Sequence, residues 1–571
     1  MDLTRKPVER ILVLLLAFYV IILPFAFGKF VEYQILTFSV IFLSVCVSVA
    51  VICYTGQRLR VTWLDIIVLL FFIYEWLNIA IIRNFQVDKL LYYEWLALGM
   101  IYLLSRMMSG RPYLLFMLSF AVALSGGLQS LVGILQYEGV LKSSGENFVL
   151  TGCFGNPGPL GGYLAISFMS AICLLMQKRG IMWRITGIAL TVLVGAMLVC
   201  SDSRAGWMAV LIPCLYLLYK VRLSGIKNKI GKNALCAALA ALCIIVAVAF
   251  YQYKKASADV RLLIGTVGVE MFAEAPLCGH GIGSFAKEYM EYQAGYFERY
   301  PDSVYASLSD NNTQAFNELL TVLCEQGVIG GMLVLFLLGI AFCGKKRTFG
   351  IRSILLSLCV FSCFSYPGDI FPLKVFYPLF LGTIPCEPLV GFPVKKKVLA
   401  SLCVLCLCPL FLLSIRTKNR YDTAFAQLER NDPQIILIHN KEYMSRYLQL
   451  LLERKEYREF IRFATNADLP FMTSVLKCDI GTCYMRMGEN EKSETALRTA
   501  YWMVPSKVLP KYLLFTLYRD AGCFEKACDK AKEILSLKVS KIGSIYLAAR
   551  AEAKNFLQSG VCQGKRRCEI K

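Results

Sequence analysis

The chain has 571 residues, 57% of them hydrophobic and only 18% charged. A soluble globular protein carries about 25% charge, so this composition excludes a row of soluble domains and reads as a polytopic membrane protein. The formal net charge of +21, from 61 basic and 40 acidic residues, would suit nucleic acid, but its placement along the chain assigns it to topology, and no nucleic-acid partner is expected.

A bilayer-spanning helix needs about 20 mostly apolar residues. The predicted spans are Ile11–Gly28, Leu36–Tyr54, Val61–Ile82, Leu90–Met107, Tyr113–Gln136, Gly152–Met176, Met182–Cys200, Gly206–Tyr219, Ala234–Tyr251 and Glu318–Cys343. Three weaker ones follow at Ser353–Ser365, Phe371–Val390 and Val398–Ile415. The first run is preceded by Arg5, Lys6 and Arg10 and is not followed by a small-residue cleavage site, so it reads as a signal anchor.

The positive-inside rule orients this array. With the N-terminus in the cytoplasm, the inside segments hold 22 basic residues, among them Arg58, Arg106, Arg111, Lys345 and Lys395–Lys397. The short outside loops hold only Lys29, Arg83, Lys89, Lys142 and Arg204. The fold expected is all-α, with 12–13 spans in a membrane domain over residues 1–415 and a helical domain over 416–571. Thirteen spans keep Lys395–Lys397 inside and put the second domain outside. Of the 23 cysteines most lie in apolar runs, where a thiol acts as a small hydrophobe; no disulfide scaffold is expected.

Three features interrupt the apolar background, each near the outer face. The run TGCFGNPGPLGG, Thr151–Gly162, breaks or kinks a helix, and Asn156 is its one side chain suited to a ligand. The turn SDSRAG, Ser201–Gly206, holds Arg204. The 66-residue loop Gln252–Asn317 carries Arg261, the run PLCGHGIGSF at Pro276–Phe285, and a stretch from Asp310 to Asn317 and Glu318 that leads into CEQGVIG. Long loops are commonly functional. Gly279, Gly281 and Gly283 follow no strand, so they are no dinucleotide fingerprint. No cofactor is implied, and no His, Cys or carboxylate set has metal-ligand spacing.

From Arg416 onward, 28 basic and 18 acidic residues share 156 positions, a soluble composition. Ser474–Lys507 and Val508–Lys541 repeat at 34 residues, with Tyr484 and Gly488 matched by Tyr518 and Gly522. This resembles the tetratricopeptide repeat, whose concave face implies a protein partner, although a rigid spacer or lid would read the same way. Cys478/Cys483 and Cys523/Cys528 are each five apart, which sets the members of each pair on different helix faces.

In order, FGNPxxLxxYL, SRAGW, an arginine ahead of PLCGHGIGSF, and AFNELLTVLCEQGVIG resemble the superfamily of O-antigen ligases, O-antigen polymerases and protein O-oligosaccharyltransferases. The resemblance covers Gly152–Gly330 by motif and the rest of the membrane domain by topology. It implies a metal-independent glycosyltransferase in a bacterial inner membrane, acting at the periplasmic face in lipopolysaccharide or related polysaccharide synthesis. The donor would be an undecaprenyl-diphosphate-linked glycan, the acceptor lipid A-core, a protein or a glycan. Arg204 and Arg261 match the arginines assigned to the diphosphate. Guanidinium forks suit phosphate oxygens.

The family's acceptor-activating histidine falls where this chain has Phe316, next to Asn317. Glu318 is the first substitute, His280 the second and Asp310 the third. A ligase is preferred over a polymerase because a soluble outer domain suits a large acceptor. A flippase or transporter would need charge near the midplane, for which only Asp65, Glu75 and Lys374 qualify; a non-catalytic scaffold is the remaining alternative.

Overall fold

A computed structural model describes residues 5–54, 58–145, 148–177, 180–220, 229–343, 349–393, 396–466, 468–537 and 543–559. Helices dominate, and the described residues form one two-stranded sheet. The membrane part runs α1 (Arg5–Phe27), α2 (Glu32–Tyr54), α3 (Trp63–Ile81), α4 (Leu90–Met107), α5 (Pro112–Tyr137), α6 (Pro157–Met176), α7 (Ile181–Cys200), α8 (Arg204–Leu218) and α9 (Lys229–Tyr253). The long loop folds into α10 (Lys255–Glu274) and α11 (Ser284–Arg299). Then come α12 (Glu318–Phe342), α13 (Phe349–Ser362), α14 (Phe371–Lys374), α15 (Phe376–Thr383) and α16 (Lys396–Glu429).

The starts of these helices follow local chemistry. α5 and α6 begin on prolines, whose missing N–H costs nothing at a first turn. Asn156, Ser203 and Asn317 cap α6, α8 and α12 by accepting N–H bonds from Gly158, Gly206 and Leu320. Seven helices among the described residues are long and apolar enough to cross a membrane: α1, α2, α3, α5, α6, α7 and α12. α8 and α13 are apolar but shorter. The chain is a multi-pass, all-α membrane protein.

Polar contacts define two ends of the bundle. At the lower end Glu9 accepts from Arg111 and Tyr113, both at 3.0 Å. There Arg106 also pairs with Asp65 at 2.9 Å, and β1 (Arg58–Val61) pairs antiparallel with β2 (Val390–Pro393). At the upper end Tyr33 donates to Asp422 at 2.7 Å and Arg83 pairs with Asp468 at 2.7 Å. The repeat region therefore sits at the end that carries the long loop.

Two expectations differ in detail. The span expected over Phe371–Val390 is two short helices, α14 and α15, followed by β2. An Arg106 N–H takes the Ile384 carbonyl at 2.6 Å, and the chain then leaves for the β1 pairing. The boundary expected at 415/416 lies inside the continuous α16, whose upper part packs Tyr421 and Phe425 against the Tyr33 ring.

Beyond α16 lie α17 (Lys441–Glu453), α18 (Tyr457–Ile461), α19 (Ser474–Arg486), α20 (Asn490–Met503), α21 (Val508–Asp520), α22 (Phe524–Ser536) and α23 (Ser544–Gln558). α19 and α21 start 34 residues apart, as do α20 and α22. Gly488 and Gly522 turn each hairpin with φ of 82° and 72°. Cys478 and Cys483 are buried free thiols. Cys523 and Cys528 are each disulfide-bonded.

Candidate functional site

Two motifs of the sequence are one interlocked unit. α12 is broken at Gly327, whose φ of 65° and ψ of −164° lie outside the helical region. The broken turn frees backbone groups, and the loop after α10 takes them up. His280 and Gly281 N–H groups donate to the Cys324 and Glu325 carbonyls, both at 2.9 Å, and Val328 N–H donates to Pro276 O at 2.8 Å. A Cβ at Gly279 would lie 2.3 Å from the Glu325 carbonyl carbon, and one at Gly327 would lie 2.2 Å from Leu277 O. Only glycine fits at either place. The Glu325 carboxylate caps the start of α11, accepting from Phe285 N–H at 3.2 Å. Asn78 of α3 ties the junction to the bundle by donating to Cys278 O at 3.0 Å and accepting from Ile282 N–H at 3.0 Å.

Arg261, on α10, is half-buried at this junction. Its guanidinium lies over the Phe316 ring, 5.4 Å from the centroid, and makes no hydrogen bond or ion pair among the described residues. Burial, and after it the charge of Arg204, lower its pKa from the ordinary guanidinium range. Both effects disfavour a cation, and both are relieved by a bound anion. Arg204 sits in the first turn of α8 and donates through Nη1 to the Phe250 and Lys254 carbonyls, at 2.7 and 3.2 Å, capping the end of α9. Its Nε and Nη2 make no hydrogen bond among the described residues.

Phe316, which has φ of 52°, stands edge-on to Tyr366 at 5.2 Å. Tyr366 opens the turn between α13 and α14. Two residues on, Gly368 N–H donates to Glu318 Oε1 at 2.6 Å. Glu318 is thus linked to Arg261 through Phe316 and Tyr366. Its charged neighbours are Asp369, Lys374 and Glu325. Lys374 pairs with Glu94 at 2.6 Å and lies within electrostatic reach of Asp369 and Glu318. Asp369 is exposed and Glu318 half-buried. Arg261 and the free nitrogens of Arg204 suit an anion, and the Phe316–Tyr366 contact links that place to the Glu318 carboxylate.

The other expected site residues have different surroundings. Both ring nitrogens of His280 are engaged: Nε2 meets Met271 O at 2.8 Å and Nδ1 meets Glu288 Oε2 at 3.2 Å. The bond to Glu288 raises the His280 pKa above its ordinary value. With both nitrogens turned to acceptor oxygens, His280 is placed to donate at each rather than to take an acceptor's proton. Asp310 is exposed and pairs with Lys507 of the repeat region at 3.2 Å. Asn156 and Asn317 spend their side-chain oxygens as helix caps. Around Asn156, the Gln136 carboxamide clamps the Pro/Gly run by accepting from Thr151 and Gly152 N–H at 3.1 and 2.8 Å and donating to Gly152 O at 2.9 Å. Asp65, one of the charges a transporter would use, lies at the lower end; it accepts from Thr62 N–H at 2.8 Å and pairs with Arg106.

Sequence reasoning missed Tyr366, Asp369 and the role of Glu94. They come from segments far from Glu318, and the only signal was an acidic Tyr-Pro-Gly-Asp turn between two apolar runs.

No curated protein matches the chain. A family model described as O-antigen ligase matches residues 189–335. That stretch runs from within α7 into α12 and contains Arg204, Arg261, Phe316 and Glu318, so this part of the chain is similar to that family.

Proposed function

We propose that this protein transfers a glycan from a polyprenyl diphosphate to an acceptor at the periplasmic face of a bacterial inner membrane. The observation that carries the reading is Arg261: a half-buried guanidinium without an anionic partner among the described residues, beside Arg204 and linked to Glu318 through Phe316 and Tyr366. The diphosphate occupies the arginine side. As the C1–O bond of the linking sugar breaks, charge grows on the departing diphosphate, and a fixed guanidinium there lowers the barrier. In this reading guanidinium groups, rather than a metal ion, meet that charge. Glu318 takes the proton of the acceptor hydroxyl, with Asp369 and Lys374 setting its electrostatics.

The upper end then faces the periplasm. The positive-inside count supports this, and the bonded Cys523 and Cys528 suit an oxidising compartment. The two domains are the membrane bundle and the tetratricopeptide-like array, with the change in character near the top of α16. A ligase is preferred to a polymerase because the array covers the long loop, where a large acceptor would dock. The test is the lipid-linked glycan pool of cells in which Arg261→Ala is the sole copy. Accumulated full-length polymer supports the ligase, accumulated single repeat units the polymerase, and an unchanged pool contradicts both.

A further inference from the structure

A groove of about 620 Å³ lies between α11 of the long loop and the helices α19 and α20 of the repeat region. Its floor is apolar, formed by Phe471, Ile480 and Ala496, all buried, with the Tyr484 ring at one side. Its rim is polar and balanced in sign: Lys287, Lys477 and Lys492 against Glu288, Glu291 and Glu491. The rim charges are largely paired with one another or nearby, Lys477 with Glu291 at 2.9 Å and Lys492 with Glu489 at 2.6 Å. Thr495 and Thr499, which also line it, donate their hydroxyls back to their own helix at 3.0 Å.

This lining selects a class of ligand. A polyanion or polycation would gain nothing from a rim whose charges cancel. A purely apolar chain would bury the paired groups without compensating them. A sugar chain has apolar C–H faces for the floor and Tyr484, and hydroxyls that both donate to carboxylates and accept from ammonium groups. α11 also links the groove to the candidate site's helix: Glu288 on the rim holds His280, and the start of α11 is capped by Glu325 of α12, the helix that Glu318 opens.

We propose that the groove binds the uncharged saccharide chain of the donor as it extends away from the membrane. This rests on the glycosyltransferase reading above. The full chain in lipid nanodiscs is titrated with the oligosaccharide released by mild acid from the lipid-diphosphate pool of the producing cells, with binding read directly. Wild type binds it. Thr495→Trp fills the groove from an exposed helix position and weakens binding at least tenfold. Arg261→Ala, at the diphosphate side, leaves this affinity unchanged. Equal binding by wild type and Thr495→Trp, no binding by wild type, or loss on Arg261→Ala would each overturn the proposal. Displacement of the saccharide by a sugar-free polypeptide, and not by the acceptor glycan, would assign the groove to a protein partner and overturn it too. Transfer measured on the same preparations separates the two ideas: transfer without saccharide binding sinks the groove and leaves the reaction standing, whereas binding without transfer does the reverse.

Discussion

Glu318 accepts the backbone N–H of Gly368 at 2.6 Å. This one bond joins the first turn of α12 to the turn between α13 and α14. It brings Asp369, between two expected spans, and Lys374, from the segment expected to be a plain span, to the Glu318 carboxylate. The carboxylate is thereby oriented by backbone, which a change of side-chain charge leaves in place.

Glu318→Gln should lower transfer by about 10²–10⁴-fold, the usual worth of general-base help. The amide oxygen still accepts from Gly368, so thermal stability should hold. Turnover in a detergent assay with lipid-linked donor, alongside a melting curve, checks both. Gly368→Ala should act on the same bond from the other side, since its Cβ would lie 2.5 Å from a Glu318 carboxylate oxygen; it should lower both activity and stability.

The two arginines should separate. Arg261 gives up no hydrogen bond when truncated, so Arg261→Ala should abolish transfer, by about 10²-fold or more, at a normal level in the membrane. Lysine should restore little, having no bidentate fork. Arg204→Ala also uncaps the Phe250 and Lys254 carbonyls, so it should lower the membrane level as well. Quantitative blotting beside the transfer assay distinguishes them.

His280 should show a pH signature. Its folded pKa is raised by Glu288, so its contribution to stability is complete below the unfolded value of about 6.5 and is lost as pH rises through the folded value. The melting temperature of wild type relative to His280→Gln should therefore shrink as pH climbs past 6.5. Glu288→Gln should remove most of that dependence. Transfer by His280→Gln at pH 7.5 should stay within a few-fold of wild type; a loss as large as that of Glu318→Gln would return the base to His280.

The helical, polytopic fold was legible because apolar runs near 20 residues and the basic loops each report the bilayer. The 34-residue offset of the repeats was legible from Tyr484, Gly488, Tyr518 and Gly522. The glycines of PLCGHGIGSF and CEQGVIG were visible as a signal but not as a pair; their meaning is a close approach of two backbones distant in the sequence, as in the bond from Gly281 N–H to Glu325 O. Asn156 and Asn317 stood out as polar residues ahead of helices, and their geometry is that of caps, a reading which the residue after each already favoured. His280 and Asp310 looked available because a sequence does not say which partners a loop side chain meets. The same limit hid Asp369 and split the Phe371–Val390 run.

The central claim is that the Arg261–Glu318 region moves a glycan off a lipid diphosphate. The most direct measurement is the lipid-linked glycan pool, resolved by chain length, in cells whose only copy is wild type, Arg261→Ala or Glu318→Gln. The account predicts that both variants, present at wild-type level, accumulate lipid-linked glycan while the acceptor stays unmodified. An unchanged pool with normally modified acceptor in both would contradict it.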